Sequence, residues 1–320
     1  MIWSYLIHLG THMYADRDGM LYGRTKTPRG SMDKAEDKLR CEKDAWIALT
    51  NEIAKMGANT LIIDLAEGVK YQSHPELAIE GSWSVEELKE ELKRLRSIGL
   101  NPVPKLNFAT THDEWLGEYH KMVSTKKYYE VCADLIKEVC EIFDTPDYFH
   151  IGMDEESYHH QKPYSLAVVR HGDLWWHDVL FFIEQVEKNG STAWMWSDNV
   201  VLQDENEFVK RMPKSVIQSI WYYDRDFDFP GTPKYPLWDA YKYYSFLDKH
   251  GYKQVPTGSI WMAYENMILL SEFCKEQISE ENLLGYMMTT WYPVTKDNHS
   301  YNVAGADLLG QIRRYDYNGK

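Results

Sequence analysis

A chain of 320 residues, 44% of them hydrophobic, is long enough to bury a large core as one big domain or two small ones. Its net charge of -14 argues against a nucleic-acid partner, because a phosphate-tracking surface needs clustered Lys and Arg; a neutral or basic substrate is more compatible. No stretch approaches the roughly 18 uninterrupted apolar residues of a membrane span, and the N-terminus lacks the basic-then-apolar layout of a secretory leader.

Taken in chain order, short runs rich in β-branched and aromatic residues alternate with longer segments of helical period, the signature of repeated βα units around a parallel sheet. Strands are predicted at 2–9, 60–66, 102–108, 148–153, 192–197, 216–222, 254–260 and 284–290. Helices are predicted at 33–56, closed by Gly57, and at 84–98, opened by a Ser84/Glu87 capping box and closed by Gly99. Further helices are expected at 128–143, 174–188, 237–250, 264–276 and 304–315, with a short one at 207–212. Eight strands each followed by a helix predict an α/β fold, the (β/α)8 TIM barrel. No linker, low-complexity tract or internal repeat divides the chain, so 1–320 reads as one domain. A doubly wound open sheet is the alternative, but no GxGxxG or GxxxxGK[ST] follows a strand. In a barrel, the long loops after strand ends gather on one catalytic face. Cys41, Cys132, Cys140 and Cys274 fall in predicted helices without CxxC or zinc-type spacing, so they read as small buried hydrophobes and imply no disulfide, metal or cofactor.

The sharpest local signal is the run from Tyr148 to Glu156, an apolar strand that ends in three consecutive carboxylates. Like charges side by side disturb at least one pKa. In a cleft, two carboxylates in different environments can divide labour, one ionised and one protonated, as glycosidic cleavage requires. The plainer reading is a strand running into an acidic, solvated helix start. Other predicted strand ends carry His8 and His12, Lys105 with Asn107 and His112, Trp196 with Asp198, Trp221 to Asp224, and Trp291. Alternation along a strand places His150, Gly152 and Asp154 on one face, and Trp194, Trp196 and Asp198 on another. Tryptophans around one mouth would form an enclosure for the apolar C–H faces of sugar rings; the alternative is that Trp196 and Trp221 fill the barrel interior, although interiors favour Val, Ile and Leu. His150 reads as an orienting strand histidine rather than a base. Lys105 and Asp64, inside apolar strands, must be paired or functional.

The segment His150-Ile151-Gly152-Met153-Asp154-Glu155 resembles the H-x-G-x-D-E motif at the end of the fourth barrel strand of glycoside hydrolase family 20, the β-N-acetylhexosaminidases. The resemblance implies a carbohydrate substrate and exo-acting hydrolysis with retention. It makes Glu155 the general acid/base, with a raised pKa, and Asp154 the partner of the substrate's 2-acetamido group. That group itself attacks the anomeric carbon, so neither a protein nucleophile nor a cofactor is needed. The resemblance further implies that Trp196, Trp221 and Trp291 enclose the acetamido methyl and that Tyr222 or Tyr223 bonds its oxygen, with Asp224 close behind. His112 would support the site after the third strand, and His150 and Asp198 complete the substrate-facing set.

Three departures mark a divergent, barrel-only relative. Thr11-His12 stand where the family has an arginine that clamps sugar hydroxyls, Trp291 is followed by Tyr292-Pro293-Val294 rather than an acid, and the small α/β domain common ahead of the barrel has no counterpart. Two other functions stay open: a glycosidase for non-acetylated sugars using Asp198 or Asp224 as the second carboxylate, and a glycan-binding barrel without catalysis. Metal-assisted hydrolysis through His8, His12 and His112 has no recognised ligand spacing to support it. Aromatics on the mouth could face a second copy of the chain, and the cysteines are compatible with the cytoplasm or with a periplasmic or secreted setting after loss of a leader.

Overall fold

In the computed structural model, which describes residues 1–11, 35–162, 164–202, 204–228 and 236–317, eight short, buried parallel strands succeed one another in chain order. They are β1 (Ile2–His8), β2 (Thr60–Asp64), β3 (Asn101–Lys105), β4 (Tyr148–His150), β5 (Thr192–Trp196), β6 (Ile217–Ser219), β7 (Thr257–Ser259) and β8 (Gly285–Thr289). Hydrogen bonding runs β6-β5-β4-β3-β2-β1-β8-β7. Bridges from Gln218 to Gln254 and from Trp221 to Thr257 close the remaining gap, and the Val255 amide donates to the Gln218 carbonyl at 2.9 Å. A ring closed in sequence order is the (β/α)8 barrel, not a doubly wound sheet.

The intervening helices are α1 (Lys43–Met56), α2 (Val85–Ser97), α3 (Lys126–Ile142), α4 (Tyr158–Gln161), α5 (Gly172–Lys188), α6 (Asn199–Leu202), α7 (Glu205–Arg211), α8 (Tyr243–Lys249), α9 (Asn266–Gln277) and α10 (His299–Tyr317). Strand alternation splits the core. Tyr5, Ile7, Leu61 and Ile63 turn outward under the helices, while Leu6, Ile62, Val103, Trp194, Trp196 and Met287 fill the barrel. Trp196 thus belongs to the interior filling, with Trp221 and Trp291 packed on its edge. The capping box forms as predicted: Ser84 Oγ accepts from the Glu87 amide at 3.1 Å, and the Glu87 carboxylate accepts from the Ser84 amide at 2.9 Å.

Several boundaries differ from the sequence expectation, among them β3 ending at Lys105 rather than 108, β6 at Ser219 rather than 222, β7 beginning at Thr257 rather than 254 and α10 at His299 rather than 304. Helix α1 begins at Lys43 rather than 33; residues 33 and 34 lie outside the described residues, and Lys38 forms a bridge with Glu80 instead of a helical turn. The 237–250 helix breaks into a 3-10 segment, Pro236–Lys242, kinked at Asp239, followed by α8. Strand β4 ends at His150 rather than 153, because Gly152 and Met153 take φ of 71° and 77° and turn the chain out of the sheet. Cys41 lies just ahead of α1 rather than in a helix, whereas the other three thiols are buried in α3 and α9; all four are free. Among the described residues no helix is long and apolar enough to cross a membrane.

Candidate active site

The turn that ends β4 is built around a glycine. A Cβ at Gly152 would lie 2.0 Å from Asn107 Oδ1, and the residue sits in the left-handed region, so no side chain is tolerated there. Asn107 uses the space. Its Oδ1 accepts from the amides of Met153 (3.0 Å) and Ala109 (3.1 Å), and its Nδ2 donates to Asp154 Oδ1 at 2.8 Å. From the end of β5, Asp198 Oδ2 accepts from the Glu155 amide at 2.8 Å, and the Asn199 side chain donates to the Met153 carbonyl. These bonds hold Met153 and Glu155 at φ of 77° and 56°, conformations that cost on the order of 1–3 kcal/mol each for a side-chain-bearing residue.

The result is that the two carboxylates face a pair of imidazoles. His112 Nε2 lies 3.3 Å from Asp154 Oδ2 and 3.4 Å from Glu155 Oε2. His160 Nε2 lies 3.2 Å from Glu155 Oε1, and its Nδ1 is 2.8 Å from Ser157 Oγ. Both histidines are buried, whereas the Glu155 side chain is 18% exposed. Burial works against a charge on His112, but Asp154 and then Glu155 outweigh it and push the imidazole up to about 10. Burial would likewise raise the Glu155 carboxyl. His160 and then His112 overcome that and hold it well below the usual carboxylate range. The raised pKa expected of Glu155 is therefore not found. Asp198 is instead pushed well above its ordinary value, by burial and then by the charge of Asp154.

Beneath this layer, burial and then the charge of Lys105 keep the His150 pKa well down, and the His150 Nδ1 accepts from the Gly152 amide at 3.1 Å. Lys105 is paired with Asp64, whose Oδ2 is also 3.5 Å from His8 Nδ1. Burial alone would raise Asp64, yet Lys105 and then His8 bring it down to about 2. Lys105 and Asp64 are thus a buried ion pair supporting the floor of the site.

A run of aromatic rings continues from His150. The Trp196 ring lies 4.5 Å from His150 and 6.0 Å from Trp291, which itself has φ 56°. Trp291 lies 6.5 Å from Tyr223, and Tyr223 stacks on Trp221 at 5.4 Å. Burial pushes the Tyr223 hydroxyl well up, and the charges of Asp154, Glu155 and Asp198 add to the shift. Tyr222 points the other way: its hydroxyl donates to the Asp226 carbonyl, and its ring sits 5.0 Å from Phe227 and 5.2 Å from Tyr241. Asp224 Oδ1 accepts from the Arg225 amide at 2.7 Å, so its carboxylate caps its own turn.

Of the residues singled out in the sequence, Asp154, Glu155, His112, His150, Asp198, Trp196, Trp221, Tyr223 and Trp291 are linked by these contacts, whereas Tyr222 turns away from them. Three contributors were not foreseen. His160 follows the motif by only a few residues, in a polar loop whose His159-His160 pair was the available signal. Asn107 was visible as a polar strand end but not as the clamp on Asp154. Arg40, in a segment that reads as helix, brings a guanidinium to the end of β1, where its Nε donates to Thr11 Oγ1 at 3.1 Å. His12 lies outside the described residues. Among the described residues there is no group of three or more His, Cys, Asp or Glu able to hold a metal ion; His8 is engaged with Asp64, and His112 with the two carboxylates.

Neither a protein-family model nor a curated protein matches the sequence. Solved structures match in shape. The chitobiase of Flavobacterium johnsoniae superposes with a TM-score of 0.63 at 18% identity, over 84% of this chain and 46% of that one. In fold, this chain is similar to the family 20 glycoside hydrolases. The β-N-acetylhexosaminidase of Bacteroides fragilis gives 0.63 at 14% identity, over 98% of this chain and 69% of that one. The family 20 β-N-acetylhexosaminidase of Streptomyces coelicolor gives 0.63 at 12%, over 99% and 69%. This chain therefore spans about half the length of the first of these relatives and about two thirds of the other two.

Proposed function

We propose that this chain is a retaining, exo-acting glycosidase for β-linked N-acetylhexosamines, with the 2-acetamido group of the substrate as nucleophile. The observation that carries the reading is His112, held between Asp154 and Glu155 at 3.3 and 3.4 Å, together with the linked rings of Trp196, Trp291 and Tyr223. The fold neighbours support the substrate class: a Streptomyces plicatus β-hexosaminidase variant has been solved with the product GlcNAc.

In this reading Asp154, oriented by Asn107 and His112, accepts the acetamido N–H and turns its carbonyl oxygen toward the anomeric carbon. The Tyr223 hydroxyl, which burial keeps protonated, donates to that oxygen. Glu155 gives a proton to the glycosidic oxygen as the C–O bond breaks, and the acetamido oxygen closes a bicyclic oxazolinium. Water then enters, Glu155 takes its proton, and the sugar leaves with its original anomeric configuration. The state of the other carboxylates favours this over a protein nucleophile. Burial and then the charge of Asp154 raise the Asp198 carboxyl, whose Oδ2 already accepts from the Glu155 amide, and Asp224 Oδ1 accepts from the Arg225 amide. Arg40, whose Nε donates to Thr11 Oγ1 and whose Nη1 lies 4.0 Å from Glu36 Oε1, would in this reading take the sugar hydroxyls in the role of the missing strand-one arginine.

The test is hydrolysis of 4-nitrophenyl N-acetyl-β-glucosaminide, its galacto epimer and the matching non-acetylated glycosides, by wild type and Glu155→Gln. Turnover confined to the acetamido substrates is expected. Loss of the general acid should reduce kcat by about 10²–10⁴ when the leaving group is a sugar, and less for nitrophenol, with binding little changed. Turnover of plain glycosides that disappears in Asp198→Asn would move the nucleophile to that residue. Tight binding of N-acetylhexosamine without turnover would leave a glycan-binding barrel.

A further inference from the structure

Strand β8 runs into two consecutive aromatic residues that the fold sends to different places. Trp291, at φ of 56°, joins the linked rings of the site through Trp196 and Tyr223. Tyr292, the next residue, is buried toward α10 and stacks on Tyr301 at 5.1 Å, the two rings 5° from parallel. There it lines a groove of about 240 Å³ between the loop that follows β7 and the first turn of α10, together with Ile260, Tyr264, Ser300, Tyr301 and Ala304. Tyr264 and Tyr301 are 57% and 46% exposed. Single exposed aromatics are ordinary, but two in one concavity are not explained by packing. The α10 side of the groove is held in place. Asn298 and Asn302 donate to the Pro293 carbonyl at 3.2 and 3.4 Å, the Tyr5 hydroxyl donates to the Asn302 carbonyl at 2.7 Å, and the Thr290 hydroxyl donates to Asn302 Oδ1. These bonds tie the first turn of α10 to the barrel, so a ligand that stacks on Tyr301 costs little ordering.

The lining selects the occupant. It contains no Asp, Glu, Lys, Arg or His, so it offers nothing to an ion. What it offers is flat apolar ring surface with hydroxyl groups at its edges, the match for a pyranose, which carries C–H bonds on its face and hydroxyls around its rim. A protein partner needs more surface, because a stable interface takes roughly 20–30 residues a side. We propose that the groove is a second carbohydrate-binding site, in which Tyr264 and Tyr301 take the face of a neutral pyranose belonging to the same oligosaccharide whose terminal sugar lies at Glu155. The class of ligand rests on the glycosidase reading. The link between the two places is the turn itself: Trp291 and Tyr292 are consecutive, one ring in the site and the next against the groove, so a single oligosaccharide reaches both. No bond is made or broken in the groove. It contributes binding, and a monosaccharide substrate is too short to use it.

The experiment compares wild type with Tyr301→Ala, Tyr264→Ala and Ala304→Trp, the last chosen to fill the groove from a half-buried position on α10 without removing a ring. For each, kcat/KM is measured on N,N′,N″-triacetylchitotriose and on 4-nitrophenyl N-acetyl-β-glucosaminide. The ratio of the first to the second should fall at least about fivefold in every variant, through KM for the trisaccharide rather than kcat. A ratio that stays put in the variants would overturn the inference. If Tyr301→Ala does not fold, because Tyr301 covers Tyr292, the other two variants carry the test. Calorimetric titration of the trisaccharide into Glu155→Gln, alone and combined with Ala304→Trp, separates this inference from the glycosidase reading. Binding at least about fivefold weaker in the double variant supports the groove even if the wild type cleaves neither substrate, in which case only the assigned reaction has failed. Equal affinities, or no binding to Glu155→Gln at all, would overturn the groove and leave the assigned reaction standing wherever wild type turns over the aryl glycoside. A change in sedimentation of Ala304→Trp with the trisaccharide affinity intact would also overturn it, and would make this face a contact between copies of the chain.

Discussion

Glu155 and Glu156 are adjacent, and the fold uses them in opposite ways. Glu156 is buried against Arg170: its Oε1 accepts from the Arg170 amide at 3.0 Å and from Nε at 2.7 Å, and its Oε2 accepts from Nη2 at 2.7 Å. Arg170 Nη1 continues to Asp178 Oδ2 at 2.9 Å, and Asp178 also accepts from Ser124 and Tyr129. Burial works against the guanidinium, yet Glu156 and Asp178 raise its pKa further. Glu155, one residue earlier, has two histidines where Glu156 has an arginine. A guanidinium never releases its proton and grips a carboxylate in fixed fork geometry, so Glu156 ties the β4 loop to α5 permanently. The imidazoles each meet a single Glu155 oxygen through one Nε2, at 3.4 and 3.2 Å, without the fork, and the Glu155 side chain keeps 18% of its surface exposed. Neighbouring residues of the same kind become strut and working group through the partners that the fold brings to each.

The strut should be the easier to break in stability terms. Arg170→Met leaves Glu156 and Asp178 buried without their cation, and a loss of about 3–5 kcal/mol is expected in denaturant unfolding; a change below about 1 kcal/mol would mean that the network carries little of the fold. The working pair should show itself through pH. His112 is raised from 6.5 to about 10 in the folded protein, so its contribution is fully present below the unfolded value and is lost as pH rises through the folded one. Unfolding free energy should fall by roughly 4 kcal/mol between pH 6.5 and 10. That slope should vanish in His112→Asn and persist in Arg170→Met, since the guanidinium does not titrate in the window. The smallest effect expected is Glu155→Gln on stability, within about 1 kcal/mol, because the carboxamide keeps an acceptor oxygen in a partly exposed position. Equal stability losses in Glu155→Gln and Glu156→Gln would erase the distinction between the two residues.

The barrel was legible because eight apolar runs alternate with helical periods, and the ends of α1 and α2 because Gly57, Ser84 and Glu87 carry their own chemistry. The site was legible where residue type and strand parity suffice: Asp154, Glu155, His112 and Trp196 all lie near one another. It was not legible where a loop sets the partner. Whether Tyr222 or Tyr223 faces inward depends on β6 ending at Ser219 and the chain pairing again only at Trp221. Arg170 lies 14 residues beyond Glu156 in an irregular loop, and no periodicity joins them. His160 reaches Glu155 only because Gly152, Met153 and Glu155 take positive φ and fold the chain back. The direction of the Glu155 shift was missed for the same reason: burial and Asp154 were visible in sequence, and the second histidine was not.

Participation of the acetamido group is tested most directly with 4-nitrophenyl N-acyl-β-glucosaminides carrying no, one, two or three fluorines on the acyl methyl. Fluorine withdraws electrons from the carbonyl oxygen, which in the proposed reaction is the nucleophile. A steep, progressive fall in kcat/KM along the series is predicted. A flat series would contradict substrate assistance and assign the attack on the anomeric carbon to the protein or to water.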